Sequence, residues 1–314
     1  MRLTHPFARR GLRLSATSFV AGVLLTLSGC SLTPLARHSA AFSTATAIVI
    51  NGSEDAYRAA NRLYFDEQMS AAALSYDSQP NWDPHSIQPL LSETQLDVRT
   101  TLLNSLKAYA QNISEIENAP RRADGLDSAA SGAGNNLMTL SSNLNGELGD
   151  AKGITVSQAQ ANGLSTAVKA LGEFLIAKKV RRQLPGQIQA MDPQIEAICR
   201  VLLLDITALQ TQTKNDYSDL LTQQDLFIRR AGDKLNPVER RAEIRKLPLI
   251  LQKAEASKEL LEALKVAIHR LALTHHALAA AAQGNNPEDL RAKIGDLQDA
   301  GQTLANFYRS LPTS

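Results

Sequence analysis

Residues 250–282 read ILQKAEASKELLEALKVAIHRLALTHHALAAAA. Ile250, Ala254, Ser257, Leu261, Leu264, Ile268, Leu271, His275, Leu278 and Ala282 follow alternating steps of four and three. That spacing keeps one apolar seam on one side of a helix and is the heptad pattern of coiled-coil-like packing. Asn236-Pro237-Val238-Glu239 precedes the stretch and has the spacing of a capping box, so the helix is predicted to begin near Pro237. Pro248 predicts a kink within it, and Gly284 a stop.

The same periodicity extends on both sides. Upstream, Asp192-Pro193 has the form of a helix start, and Ile195, Cys199, Leu202, Ile206, Leu209, Leu220 and Phe227 continue a stripe to Gly232. Downstream, Asn286-Pro287 opens a last helix that ends near Leu311. A helix with Leu164, Val168, Leu171 and Leu175 is expected to break at Pro185-Gly186. A weaker one is predicted over roughly 123–149, where Gly and Asn residues count against it. Earlier, a helix opened by Asp83-Pro84 carries Leu102, Leu106, Tyr109, Ile113 and Ile116, and Pro120 ends it. The first helix is predicted from near Ser39 to Tyr76, with a possible break at Asn51-Gly52. Aromatic residues make up only 4% of the chain, and no convincing strand competes. The expected fold is all-α, an elongated antiparallel helical bundle with coiled-coil-like long helices.

Residues 1–29 differ in kind. Arg2, Arg9, Arg10 and Arg13 give a positive start without an acidic residue, and residues 19–27 form an apolar core too short to span a bilayer. Leu27-Ser28-Gly29-Cys30 follows, and this combination resembles the lipobox of bacterial lipoproteins. The resemblance implies that residues 1–29 are a signal peptide and that Cys30 carries the lipid after cleavage. Residues 30–41, with Pro34 interrupting regular structure near the lipid, read as a short tether, and with no long linker to mark a boundary residues 42–314 read as a single helical domain. Ser31, rather than Asp, after the cysteine implies the outer membrane, with the domain facing the periplasm. Loss of the leader's four arginines leaves 29 Lys and Arg against 31 Asp and Glu, so the formal charge moves from +2 to −2. A nucleic-acid partner is therefore not expected. With Cys30 modified, Cys199 has no disulfide partner.

Catalytic signatures are missing: there is no H-E-x-x-H, G-x-S-x-G or G-x-x-x-x-G-K. The Gly-rich Ser131-Gly132-Ala133-Gly134 reads as a loose helix segment. Of the nearby His269, His275 and His276, the first and last are seven residues apart, too far for an i, i+4 chelate. They read as one core and two surface histidines, and Cys199 as a buried thiol. No metal or cofactor is expected.

Two groups are candidates for binding. Tyr57, Tyr64, Phe65, Tyr76 and Trp82 are five of the chain's 14 aromatic residues and form either a partner-binding patch or a plug for one end of the bundle. Arg229, Arg230, Lys234, Arg240, Arg241, Arg245 and Lys246 surround a helix–helix turn at the end far from Cys30. They are either an anion-binding site or an ordinary solvated helix end. Lys178, Lys179, Arg181, Arg182, Arg121 and Arg122 are expected at the opposite end. Together these features suggest a non-enzymatic scaffold or binding module, attached to the membrane through Cys30 and partnered by another envelope protein. A pore-forming helical protein is the alternative, with residues 42–50 and 171–177 as its apolar segments; a hydrolase site assembled across helices is a third.

Overall fold

The structure is a computed structural model, and it describes residues 34–76, 83, 85, 87–118, 131–136, 138, 158–177, 181–231 and 234–310. Six long helices form it: α1 (Pro34–Ser75), α2 (Glu93–Asn118), α3 (Gln158–Ile176), α4 (Leu184–Ala231), α5 (Pro237–Ala282) and α6 (Pro287–Ser310). Residues 131–136 add a short helical stretch, and no strand occurs among the described residues. The fold is an all-α helical bundle. Cys30, Trp82, Arg121, Arg122, Lys178 and Lys179 lie outside the described residues.

The helix ends correct several sequence expectations. α1 begins at Pro34 rather than near Ser39, because Pro suits the first helical turn, where its missing N–H costs nothing. Leu35 and Ser39, assigned to a tether, are buried. α1 also runs unbroken through Asn51-Gly52. There the absence of a Cβ admits Leu304 of α6, whose Cδ2 would lie 3.1 Å from a Cβ on Gly52. α2 starts at Glu93, not at Asp83-Pro84: Ser92 Oγ accepts from the Gln95 N–H, and Gln95 Oε1 accepts from the Ser92 N–H. That S-x-x-Q box closes the helix end on both sides. α4 begins at Leu184, so Pro185 sits in its first turn and Pro193 inside it. Leu184, Ile188 and Met191 share one face and are buried, and their burial outweighs the hydrogen bond lost at Pro193. The Asn236–Glu239 capping box on α5 forms as expected.

The seam of α5 points inward: from Ile250 to Leu278 every seam residue except Ala254 is buried. α4 and α5 make the most extensive helix–helix contact. The cross-links between helices give their directions. α2 runs against α1, since Asn104 meets Glu54, Asn61 meets Leu91 and Asn118 meets Ser39. α6 runs against α5 and along α1, pairing Asp296 with Arg270 while Gly301 lies on Ile48 and Val49. The start of α1 lies beside the start of α4 and the end of α5, where Leu35, Pro185 and Ala281 line one cavity. Its far end meets Tyr217, Leu220 and Ile250 through Ala71 and Leu74. At 1.5 Å per residue, 48 residues make α4 about 72 Å long, and the last turns of the α4–α5 hairpin extend past this junction.

Candidate functional site

The body of the bundle holds two buried polar groups. Arg99 and Asp205 pair through Nη2 and Oδ1 and again through Nε and Oδ2 at 2.7 Å, and both are almost wholly buried. Tyr57 donates its hydroxyl to Asp205 Oδ2 at 3.1 Å, and Arg99 Nη1 donates to the Gln95 carbonyl. Burial works against the Arg99 charge, but Asp205 outweighs it and holds the guanidinium protonated. Burial and the neighbouring Asp205 charge push the Tyr57 hydroxyl well up. Each nitrogen of the Arg99 guanidinium and each oxygen of the Asp205 carboxylate therefore has a partner within the protein, which is what burying the pair requires.

The second group links Tyr109, His275, Asp192 and His276. His275 Nδ1 lies 2.9 Å from Asp192 Oδ1, and its Nε2 lies 2.8 Å from the Tyr109 hydroxyl. A carboxylate only accepts, so Nδ1 carries the proton; the neutral ring then accepts from Tyr109. Burial lowers the His275 pKa despite the help of Asp192, which keeps the ring neutral. Burial would raise Asp192, but hydrogen bonds from His275 and His276 outweigh it and leave the carboxyl below its usual range. The exposed His276 takes the second oxygen of Asp192 at 2.7 Å. Sequence reasoning placed His275 in the core but missed Asp192, because Asp-Pro read as a helix start. His269 is exposed. Among the described residues no group of three or more His, Cys, Asp or Glu could hold a metal ion. Cys199 is buried, and desolvation pushes its thiol up to about 12, so it is not a nucleophile at neutral pH.

The aromatic cluster divides. Tyr57 and Tyr64 are buried and belong to the main core, so neither is available as a surface anchor. Phe65 and Tyr76 are exposed, to 46% and 59%. Beside this end of α1, a cavity of about 430 Å³ opens between α1, α4 and α5. Leu74, Leu220 and Ile250 give it an apolar wall, and Glu67, Gln224, Glu243 and Lys246 supply polar groups. Lys253 pairs with Asp66 across it at 2.9 Å. Glu67 is buried, with Gln68 Nε2 donating to its Oε2 at 2.6 Å. Burial pushes the Glu67 carboxyl up to about 7; Asp216 and Asp219 add to the shift and the Gln68 hydrogen bond opposes it. The cavity can take a small apolar group with a polar end.

Arg229, Arg230, Lys234, Arg240, Arg241, Arg245 and Lys246 are all exposed at the tip of the α4–α5 hairpin. Arg229 pairs with Asp225 at 2.7 Å and Lys246 with Glu243 at 2.8 Å. Glu239 Oε2 accepts from the Asn236 N–H within the cap. Exposed Val238, Ile244, Leu249 and Leu251 stand among these cations, a feature that charge counting alone did not reveal. At the other end, Arg181 pairs with Glu117 at 3.1 Å, beside Leu35 in the cavity at the base of α1. Within the two stretches considered as inserting segments, Phe42, Ala45, Val49, Ile50, Leu171, Phe174 and Leu175 belong to the main core. No helix among the described residues is long and apolar enough to cross a membrane.

A scan against protein-family models finds no match. Searches of curated proteins and of solved structures return no match either.

Proposed function

We propose that the chain is a lipid-anchored envelope lipoprotein whose helical body serves as a non-enzymatic scaffold or binding module. It is held on the periplasmic side of the outer membrane and works with another envelope protein. The observation that supports this best is the position of the helix start. α1 begins at Pro34, four residues after Cys30, so in the sequence the attachment point directly precedes the helical body. The far end of α1 is a further 42 residues away, about 63 Å of helix, and carries the exposed Phe65 and Tyr76 beside the 430 Å³ cavity. Such a body sets its recognition surface toward the end of α1 far from Pro34. The polar interior fits the same reading: the Arg99–Asp205 pair and the Tyr109–His275–Asp192 group use their hydrogen bonds on one another.

Two measurements test it. Metabolic labelling with an alkyne fatty acid should mark the wild-type chain and leave Cys30→Ala unlabelled and released from membranes. A wild-type chain that is soluble and unlabelled would end the anchor reading. Cross-linking in native envelopes should capture a specific partner that is lost in Phe65→Ala/Tyr76→Ala and in Trp82→Ala. Capture unchanged in all of these variants would move the binding surface elsewhere.

A further inference from the structure

The tip of the α4–α5 hairpin combines two features that ordinary solvated helix ends keep apart. On α5, Val238, Arg241, Arg245 and Leu249 follow steps of three, four and four, which places them within about 80° on one face. All four are exposed, Val238 to 78%. Packing uses the other side: Gln224 of α4 donates to Glu243, and Ile250 packs with Tyr217 and Leu220, while Leu249, at the inner end of the exposed face, also borders the cavity against α1. The solvent face of an amphipathic helix is normally polar, yet here a valine and a leucine flank two arginines. On α4, exposed Leu226 and Arg230 are four residues apart and therefore neighbours on the helix surface.

Residues 225–246 hold seven Lys and Arg against four Asp and Glu, so the local carboxylates do not cancel the charge. Asp225 is taken by Arg229, Glu243 by Lys246, and Glu239 by the helix cap. Among the described residues Arg230, Lys234, Arg241 and Arg245 have no carboxylate partner. The tip is thus a cationic surface with apolar side chains set into it.

We propose that this tip docks on the headgroup layer of an anionic bilayer. Arg230, Arg241 and Arg245 meet lipid phosphates, and Val238 and Leu249 enter the boundary between headgroups and acyl chains. An anionic polymer would satisfy the arginines but leave Val238 and Leu249 in water. A bilayer offers phosphate and hydrocarbon within one side chain's length, which suits apolar residues flanked by arginine stems. The tip lies at the opposite end of the bundle from Pro34, so this contact is independent of a lipid on Cys30.

The test is co-sedimentation of the chain from Ser31, which keeps the compact unit Leu32–Ser314, with vesicles. Vesicles of phosphatidylglycerol with phosphatidylethanolamine should bind it at least tenfold more strongly than phosphatidylcholine vesicles, and the difference should shrink in high salt. Arg230→Glu/Arg241→Glu/Arg245→Glu should lose about a hundredfold, at roughly fivefold per cation before reversal. Val238→Ser/Leu249→Ser keeps every charge and should lose about tenfold. Far-UV circular dichroism and melting checks that each variant stays folded, and an Arg→Gln set at the same three positions gives a milder charge series. The proposal falls if phosphatidylglycerol vesicles are not bound, or if phosphatidylcholine is bound equally. It also falls if Val238→Ser/Leu249→Ser binds unchanged while soluble polyglutamate competes fully, since that is charge-only adsorption to a polymer-binding surface.

Discussion

The body of the bundle and the tip of its longest hairpin share two helices, yet most apolar residues of these helices are buried in the body, with Leu204, Val266 and Leu273 exposed, whereas none of those described at the tip is buried. Between Leu184 and Leu209, α4 buries its stripe against several neighbours, and α5 does so from Leu260 to Leu278. Near Tyr217, Leu220 and Ile250 the core shrinks to a small cluster, closed by Ala71 and Leu74 of α1. Past that point Leu226, Val238, Ile244 and Leu249 are exposed. The lesson is that periodicity offers a face for burial, but a third helix decides whether it is buried. Two helices alone shield only one side of each other.

The largest expected effect lies in the body. Arg99→Met removes the cation from a carboxylate that has almost no solvent access, and should cost about 3–5 kcal/mol in urea unfolding. Arg99→Met/Asp205→Leu removes both charges and should recover most of that loss. A double variant as unstable as the single would show that the pair is not self-contained. Next is Gly301→Ala in α6. Its new Cβ would sit 2.8 Å from Ile48 Cγ2 and 3.2 Å from the Val49 backbone nitrogen. Backbone cannot move aside cheaply, so about 2 kcal/mol should be lost. An unchanged melting temperature would mean that α1 and α6 are not locked at this crossing.

Between body and tip lies Glu67, at the cavity. Its folded carboxyl, near 7, stands above the ordinary glutamate value of 4.5, so between these values the folded state holds the extra proton. Stability should therefore fall as pH rises from about 4.5 through 7. Glu67→Gln removes that proton uptake while still accepting from Gln68, and should gain roughly 1–2 kcal/mol at alkaline pH with almost none in acid. Melting curves at several pH values read this directly, and a pH-independent difference would place Glu67 in solvent. His275 works with the opposite sign: burial depresses its folded pKa, so its contribution is lost on acidification through the unfolded value of about 6.5.

Most of the helix framework could be read from the sequence because the seam of α5, the capping box at Asn236 and the stripe of α2 are local patterns. The helix starts at Pro34 and Leu184 were missed for one reason. Proline was read as a boundary, whereas Pro185 occupies a first turn and Pro193 is carried by burial on either side. The site was less legible. Tyr57 and Tyr64 could not be told from Phe65 and Tyr76, because their fates depend on Asp205 and on α4. Asp192 lies more than 80 residues from both histidines that it holds, and no local motif records that meeting.

The smallest expected effect is the sharpest test of the comparison. Leu264→Ala and Val238→Ser both shorten an apolar side chain on α5. Leu264 is buried in the main core, so its truncation should cost about 2–5 kcal/mol, part transfer and part cavity. Val238 is mostly in water already, and its replacement should change unfolding free energy by less than about 0.5 kcal/mol. A loss above about 1.5 kcal/mol at Val238 would mean that some part of the chain covers the tip in solution, and the contrast between tip and body would fail. A negligible loss leaves a valine, a leucine and Arg230, Arg241 and Arg245 as side chains that the fold does not need, which is what a surface for contact with something outside the fold requires.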